Sequence, residues 1–148
     1  MTTIILTIIG ILLAAAAALM VIFYGGDAFN SGSIGAQANT LQNAGTNVES
    51  AATLYKVEEA LNATSVSSLS PRYLKEAPAL TGVGTLVDTL TDTDGDGFAE
   101  FTVTGVADQV CDKVNENLDV SPTAVGDGKM GCVKDGVTAD AATFYAEM

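Results

Sequence analysis

Three aspartates spaced two residues apart are the side chains of this chain best suited to binding a ligand. Asp92, Asp94 and Asp96 stand at positions 1, 3 and 5 of an EF-hand-type calcium loop, and Gly97 stands at position 6. Carboxylate oxygens are hard ligands, and this spacing lets several of them approach one ion. The pattern therefore predicts a calcium-binding loop at this point of the chain.

The rest of this loop departs from the EF-hand pattern. The Phe98 carbonyl and the Glu100 carboxylate can extend the ligand set, but Val103 stands at position 12, where a bidentate glutamate is usual. No pair of flanking helices is evident. We therefore expect weak calcium affinity, and the alternative is an acidic, glycine-rich hairpin turn that is simply hydrated.

The two cysteines, Cys111 and Cys132, lack the CxxC spacing of a zinc site or a redox motif. Together with an export-type N-terminus, they favour an oxidising compartment and one disulfide. Closing a loop of about 22 residues would stabilise a small module by roughly 3 kcal/mol. Two free thiols in a reducing compartment are the alternative.

No recognisable catalytic arrangement occurs in the sequence. The chain has no histidine, and no Ser, Cys or Asp lies in a nucleophile motif such as GxSxG. The sequence also has no glycine-rich phosphate loop. Carboxylates are plentiful, but their abundance is a surface property, so we expect no enzymatic activity.

Short strands are predicted on both sides of the acidic loop. Residues 98–104 are rich in β-branched and aromatic side chains, and a second strand is predicted over 85–90, so the two form a hairpin around 92–97. Apolar residues at helical spacing predict an amphipathic helix after Gly105. Further along, residues 130–133 and 143–145 are predicted as short strands that close the sheet.

The N-terminal segment has a different composition. The first 26 residues carry no charged side chain, and residues 4–24 form an apolar run interrupted only by Thr7 and Gly10. A helix of this run reaches about 31 Å, enough to cross the hydrocarbon core of a bilayer. A membrane anchor is one interpretation. A secretory signal peptide is another, although no Lys or Arg precedes Lys56 and no clear cleavage site follows the alanines.

The helix is predicted to continue as an amphipathic helix to about residue 61. Ile34, Leu41, Val48 and Tyr55 recur every seven residues, and small residues such as Gly45 fill the same stripe. Glycine costs a helix interior about 1 kcal/mol relative to alanine. Small side chains let a sheet or another helix approach closely, so the stripe covers the chain's own core, forms an assembly surface, or does both.

Charge and length limit the fold and the partners. All 18 Asp and Glu residues follow residue 26, against six Lys and Arg, for a formal net charge of -12. Direct nucleic-acid binding is therefore not expected, whereas cations and basic surfaces are favoured. We predict an α+β fold with a transmembrane helix at 1–26. A single head at 27–148 contains the amphipathic helix half, a small antiparallel sheet and a disulfide-closed C-terminal region.

The order of these segments resembles that of type IV pilins. The resemblance rests on three features: the apolar start that continues into an amphipathic helix, the segment SPRYLKEAP at 70–78, and a C-terminal region enclosed by Cys111 and Cys132. The segment FTVTGVADQVCDKV, in which a strand leads into the helix with the first cysteine, is most similar to the type IVb pilins of Gram-negative bacteria.

The resemblance implies a major pilin, the structural subunit of an extracellular filament formed by copies of this chain, with the helix at 1–26 in the filament core. Its monomer would lie in the inner membrane, and dedicated pilus machinery would assemble it into a filament that serves adhesion, aggregation or conjugation. Met1 would be the N-terminus left after removal of a short basic leader, and it would be methylated.

The chain departs from the pilin pattern at Ile5, where the family usually carries a glutamate that neutralises a neighbour's N-terminal amine. This difference leaves a secretion-system pseudopilin as an alternative within the same class. An alternative from another class is a membrane-anchored, calcium-responsive binding domain that does not polymerise.

Overall fold

A computed structural model of the chain describes residues 2–136 and 141–148. The chain divides into two compact units, one up to Ile34 and one over Gly35–Met148. The first helix, α1, is assigned over Thr2–Glu59 and has residues in both units. The domain boundary predicted after residue 26 lies where the uncharged segment ends. The two compact units divide between Ile34 and Gly35.

The first unit contains the apolar part of α1. Residues Ile4–Ile22 form a 19-residue stretch with none of its side chains buried. Among the residues that the structure describes, it is the one helix with the length and composition to cross a membrane, properties that signal sequences share. Its large apolar side chains are about half to three-quarters exposed, from 48% for Ile9 to 72% for Val21.

The second unit is built around an antiparallel sheet of four strands in the order β1-β2-β4-β3. The two central strands supply most of the buried aromatic side chains, since Phe101 of one and Phe144 of the other meet edge to face at 6.4 Å. The sheet core therefore lies where β2 and β4 pair. The strands are β1 (Thr85–Thr91), β2 (Glu100–Val106), β3 (Met130–Val133) and β4 (Ala142–Glu147).

The hairpin of β1 and β2 is confirmed, but β2 begins at Glu100 and not at residue 98. Gly97 has a φ of 94°, and the Asp96 carboxylate accepts the Phe98 N–H at 2.8 Å, so the chain is still turning there. The bounds predicted for β3 are confirmed. Strand β4 extends beyond the predicted 143–145, because its pairing with β2 continues to Glu147.

The part of α1 within the second unit covers the sheet with the predicted stripe of apolar and small residues. Leu41 and Val48 are fully buried. A Cβ built on Gly45 would lie 2.9 Å from Met130 Cε and 3.0 Å from Ala146 Cβ, which is closer than nearly all real contacts. The stripe therefore packs on the chain's own sheet, and the predicted α+β fold is confirmed.

A four-residue helix, α2 (Val66–Leu69), was not predicted. The Ser65 side chain accepts the Ser68 N–H at 3.2 Å and caps this helix, while both of its apolar residues are fully buried. Residues 70–76, which follow α2, form turns and bends. Burial under tertiary contacts, and not helical periodicity, defines so short an element.

Helix α3 (Asp108–Leu118) is the amphipathic helix predicted after Gly105. It buries Val110, Cys111 and Val114. Cys111 is bonded to Cys132 of β3, so the predicted disulfide is confirmed. The disulfide joins α3 to the strand at the edge of the sheet.

Candidate functional site

Residues 92–99 connect β1 to β2 and contain most of the predicted cation ligands. Asp92 fixes the shape of this acidic loop, because its carboxylate accepts the N–H of Gly95 at 2.6 Å and of Gly97 at 3.0 Å. Both glycines have positive φ, 82° and 94°, which other residues rarely adopt. The glycine and aspartate positions of the motif are therefore needed for the turn itself.

Three of the four predicted carboxylate ligands lie together. One oxygen from each of Asp92, Asp94 and Glu100 lies within 4.8 Å of the other two. Two oxygens that bind the same calcium ion at about 2.3–2.6 Å are at most about 5 Å apart. One ion can therefore contact all three carboxylates.

Asp96, the fourth predicted carboxylate ligand, is not part of this cluster. The Asp96 carboxylate accepts the Phe98 N–H at 2.8 Å, closing a local turn. Phe98 is 45% exposed, and the Lys56 ammonium lies 5.7 Å from the centroid of its ring. The role of the Phe98 carbonyl as a ligand stays a prediction.

Glu100 is the one charged residue of the buried core within the part of the chain that the structure describes, with 1% of its surface exposed. Its Oε2 accepts the Thr93 N–H at 2.8 Å. Its Oε1 is buried and has no hydrogen-bond partner among the described residues. A buried polar oxygen without a hydrogen-bond donor lowers the free energy of unfolding by about 1–3 kcal/mol, and a charged oxygen lowers it by more.

The electrostatic potential around the cluster is negative. Glu147 lies opposite Glu100 in the β2–β4 register. Burial raises the pKa of Glu147, and the charges of Asp96, Asp94 and Glu100 raise it further, against the opposing effect of Lys129. A negative potential of this kind favours cation binding.

The acidic loop touches a second loop, residues 119–129, between α3 and β3. Asp94 lies so close to Gly126 that a Cβ there would stand 3.0 Å from Asp94 Cγ. The next residue, Asp127, accepts the Tyr145 hydroxyl on its backbone oxygen at 2.6 Å. Asp94 therefore connects the candidate ligands to a loop that is itself anchored to β4.

The outward side of α1 in the second unit has a different chemistry. Four exposed hydroxyls each donate to the backbone carbonyl four residues earlier, at 2.8 to 3.0 Å, from Thr40, Thr46, Ser50 and Thr53. The neighbouring Leu54 and Val57 are 54% and 76% exposed. This side of the helix is therefore less polar than its residue types suggest.

Met1, predicted as a processed and methylated N-terminus, lies outside the described residues. Comparison of the chain with protein-family models, with curated proteins and with solved structures finds no match. The resemblance to type IV pilins therefore depends on the sequence features and on the layout of the fold. In that layout an apolar N-terminal helix precedes a small antiparallel sheet, with a disulfide in the C-terminal region.

Proposed function

We propose that this chain is the structural subunit of a type IV pilus-like filament. In this proposal the monomer is held in the inner membrane of a Gram-negative bacterium and polymerises outside it through the apolar segment Ile4–Ile22. The observation that carries the proposal is that this segment is apolar and exposed on all sides in the single chain. So much exposed apolar surface needs a bilayer or the matching helices of other subunits around it.

The same segment suits both environments. Its length covers the hydrocarbon core, and the alanines at 14–18 let identical helices approach closely once lipid is exchanged for protein. The second unit supports the proposal in another way, because its own part of α1 is already packed on the sheet and the fold is closed by a disulfide. Such a head can stay folded while the apolar segment changes its surroundings.

Electron microscopy and mass spectrometry of material sheared from cells that express the full chain test this proposal. We expect thin filaments composed mainly of this chain. Ala17→Glu places a charge in the apolar segment and is expected to abolish filaments. Ala77→Glu makes the same change at an exposed position of the second unit and is expected to leave filaments intact.

Two further measurements separate assembly from folding and membrane retention. Non-reducing gel mobility shows whether the Cys111–Cys132 disulfide has formed in each variant. Ala17→Leu keeps the segment apolar but adds bulk where helices approach, so we expect membrane retention with few or no filaments. A wild-type chain that stays in the membrane fraction and never enters the sheared fraction would favour an anchored, non-polymerising domain or a pseudopilin.

A further inference from the structure

We propose that Asp92, Asp94 and Glu100 form a binding site for one divalent cation, of which calcium is the best fit. This site does not depend on the filament function proposed above. The ligands of this site differ from the three regularly spaced aspartates. The buried Glu100 is one of them, and Asp96 is not.

The state of Glu100 is the first argument. It is the first residue of a central strand, paired with Thr91 on one side and Glu147 on the other, so the backbone holds it in the sheet. Its Oε1 is buried without a hydrogen-bond donor among the described residues, and its carboxylate lies within 4.8 Å of two others. Buried carboxylates are normally paired with a cation or bind a metal ion. A cation shared with Asp92 and Asp94 supplies the missing partner.

The chemistry of the ligands favours calcium. Three carboxylates supply hard oxygens and three formal negative charges, while the exposed positions of Asp92 and Asp94 let water complete the coordination. Calcium accepts six to eight oxygens in flexible geometry, whereas magnesium requires a nearly ideal octahedron. The described residues supply three charged ligands. We therefore expect an affinity like that of extracellular calcium modules, with a Kd of about 10⁻⁴–10⁻³ M.

The bound ion has a structural effect beyond the hairpin. Asp94 packs against Gly126, where a Cβ would stand 3.0 Å from Asp94 Cγ and where the φ of 88° disfavours other residues. An ion that fixes the Asp94 carboxylate therefore also braces the loop before β3. The site links two loops that are far apart in sequence but adjacent in the fold.

Calorimetric titration of the chelator-treated full chain in detergent micelles with CaCl₂, and separately with MgCl₂, tests the site. We expect saturable binding of one calcium per chain with a Kd of about 10⁻⁴–10⁻³ M and weaker binding of magnesium. Asp92→Asn and Asp96→Asn are a matched pair, since both are exposed aspartates of the same loop. Asp92→Asn is expected to weaken calcium binding at least about tenfold, and Asp96→Asn by no more than about threefold. The reason is that Asp92 is a ligand of the proposed site and Asp96 is not.

Glu100→Gln is expected to abolish saturable calcium binding. Its fold is checked by thermal unfolding in chelator, where it should be at least as stable as wild type because a buried, unpaired charge has been removed. Calcium should raise the unfolding temperature of wild type but not of this variant. The proposal is overturned if wild type binds no calcium at about 10 mM, well above the expected Kd. It is also overturned if Glu100→Gln binds like wild type, or if the two aspartate variants are equally weakened.

Discussion

Asn115 of α3 forms two hydrogen bonds with the backbone of Cys132: its Nδ2 donates to the carbonyl at 2.8 Å, and its Oδ1 accepts the N–H at 2.9 Å. Cys132 lies in β3, the edge strand next to β4, so these outward-facing backbone groups pair with no other strand of the described sheet. Asn115 is one helical turn after Cys111 and therefore lies on the same face of α3 as the disulfide. Helix and edge strand are joined twice at this point.

Replacing Asn115 with alanine is expected to destabilise the second unit by about 2–3 kcal/mol, because a backbone donor and acceptor of a buried residue lose their partners together. Urea unfolding of the detergent-solubilised chain, followed by tyrosine fluorescence, measures this change. Asn117→Ala is the matched control, since Asn117 is an exposed residue of the same helix. Equal stability of the two variants would show that the amide pair contributes nothing.

Gly45 and Gly35 are expected to respond to alanine with opposite signs. Alanine gains about 1 kcal/mol over glycine in a helix interior. At Gly35 no described atom other than the neighbouring helix backbone lies within 4 Å of the new Cβ, so Gly35→Ala should stabilise the chain by about that amount. At Gly45 the new Cβ meets Ala146 at 3.0 Å, and overpacking of this kind costs about 1–3 kcal/mol.

Gly45→Ala should therefore be destabilising by about 1 kcal/mol overall, and Gly45→Val by more, because valine adds bulk without the helix propensity of alanine. Urea unfolding of both glycine variants under the same conditions provides the comparison. If Gly45→Ala is as stable as Gly35→Ala, then the helix and sheet are less closely packed than described above.

Alkaline pH is expected to destabilise the fold through its tyrosines. Burial, with a further effect from the Asp127 charge, raises the pKa of Tyr145 from 10.0 to about 12. The folded chain then holds the phenol proton more tightly than the unfolded chain does. This contribution to stability is complete below pH 10 and is lost as the pH rises towards 12.

Tyr145→Phe should reduce this alkaline loss of stability, and it should cost about 1 kcal/mol at neutral pH through the lost hydrogen bond to Asp127. Tyr73 gives a second contribution, because burial and hydrogen bonds to Glu58 and Glu59 raise its pKa to about 12 as well. Urea unfolding of Tyr145→Phe, Tyr73→Phe and the double variant between pH 8 and 11.5 separates the two. An unchanged pH dependence in the double variant would contradict both assignments.

The larger elements of this fold could be predicted because each has its own sequence pattern. The seven-residue recurrence from Ile34 to Tyr55 predicts the helix that covers the sheet, and β-branched residues between turn signals predict β1 and β2. Gly45 is the informative exception. Glycine has an unfavourable helix propensity, so the local sequence does not explain this residue. Its contact is with Ala146, in a strand about a hundred residues later. Only the fold therefore explains why glycine stands there.

The composition of the candidate metal site could be predicted only in part. Alternating aspartates pointed to residues 92–96, but no local pattern distinguishes Asp92 from Asp96. That difference arises from which backbone N–H groups each carboxylate accepts. The burial of Glu100 depends on the position of β2 between β1 and β4, and the role of Asn115 depends on where the edge of the sheet falls. Both are properties of strand order, which sequence periodicity does not contain.

The hydroxyls of Thr40, Thr46, Ser50 and Thr53 have a consequence for what can cover the outer side of α1. Each already donates to a carbonyl of its own helix, so excluding water from these four hydroxyls leaves none of them without an acceptor. The usual desolvation cost of a serine- and threonine-rich surface is thereby much reduced. Four hydroxyls that look hydrophilic in the printed sequence can thus be covered by an apolar neighbour without losing a hydrogen bond.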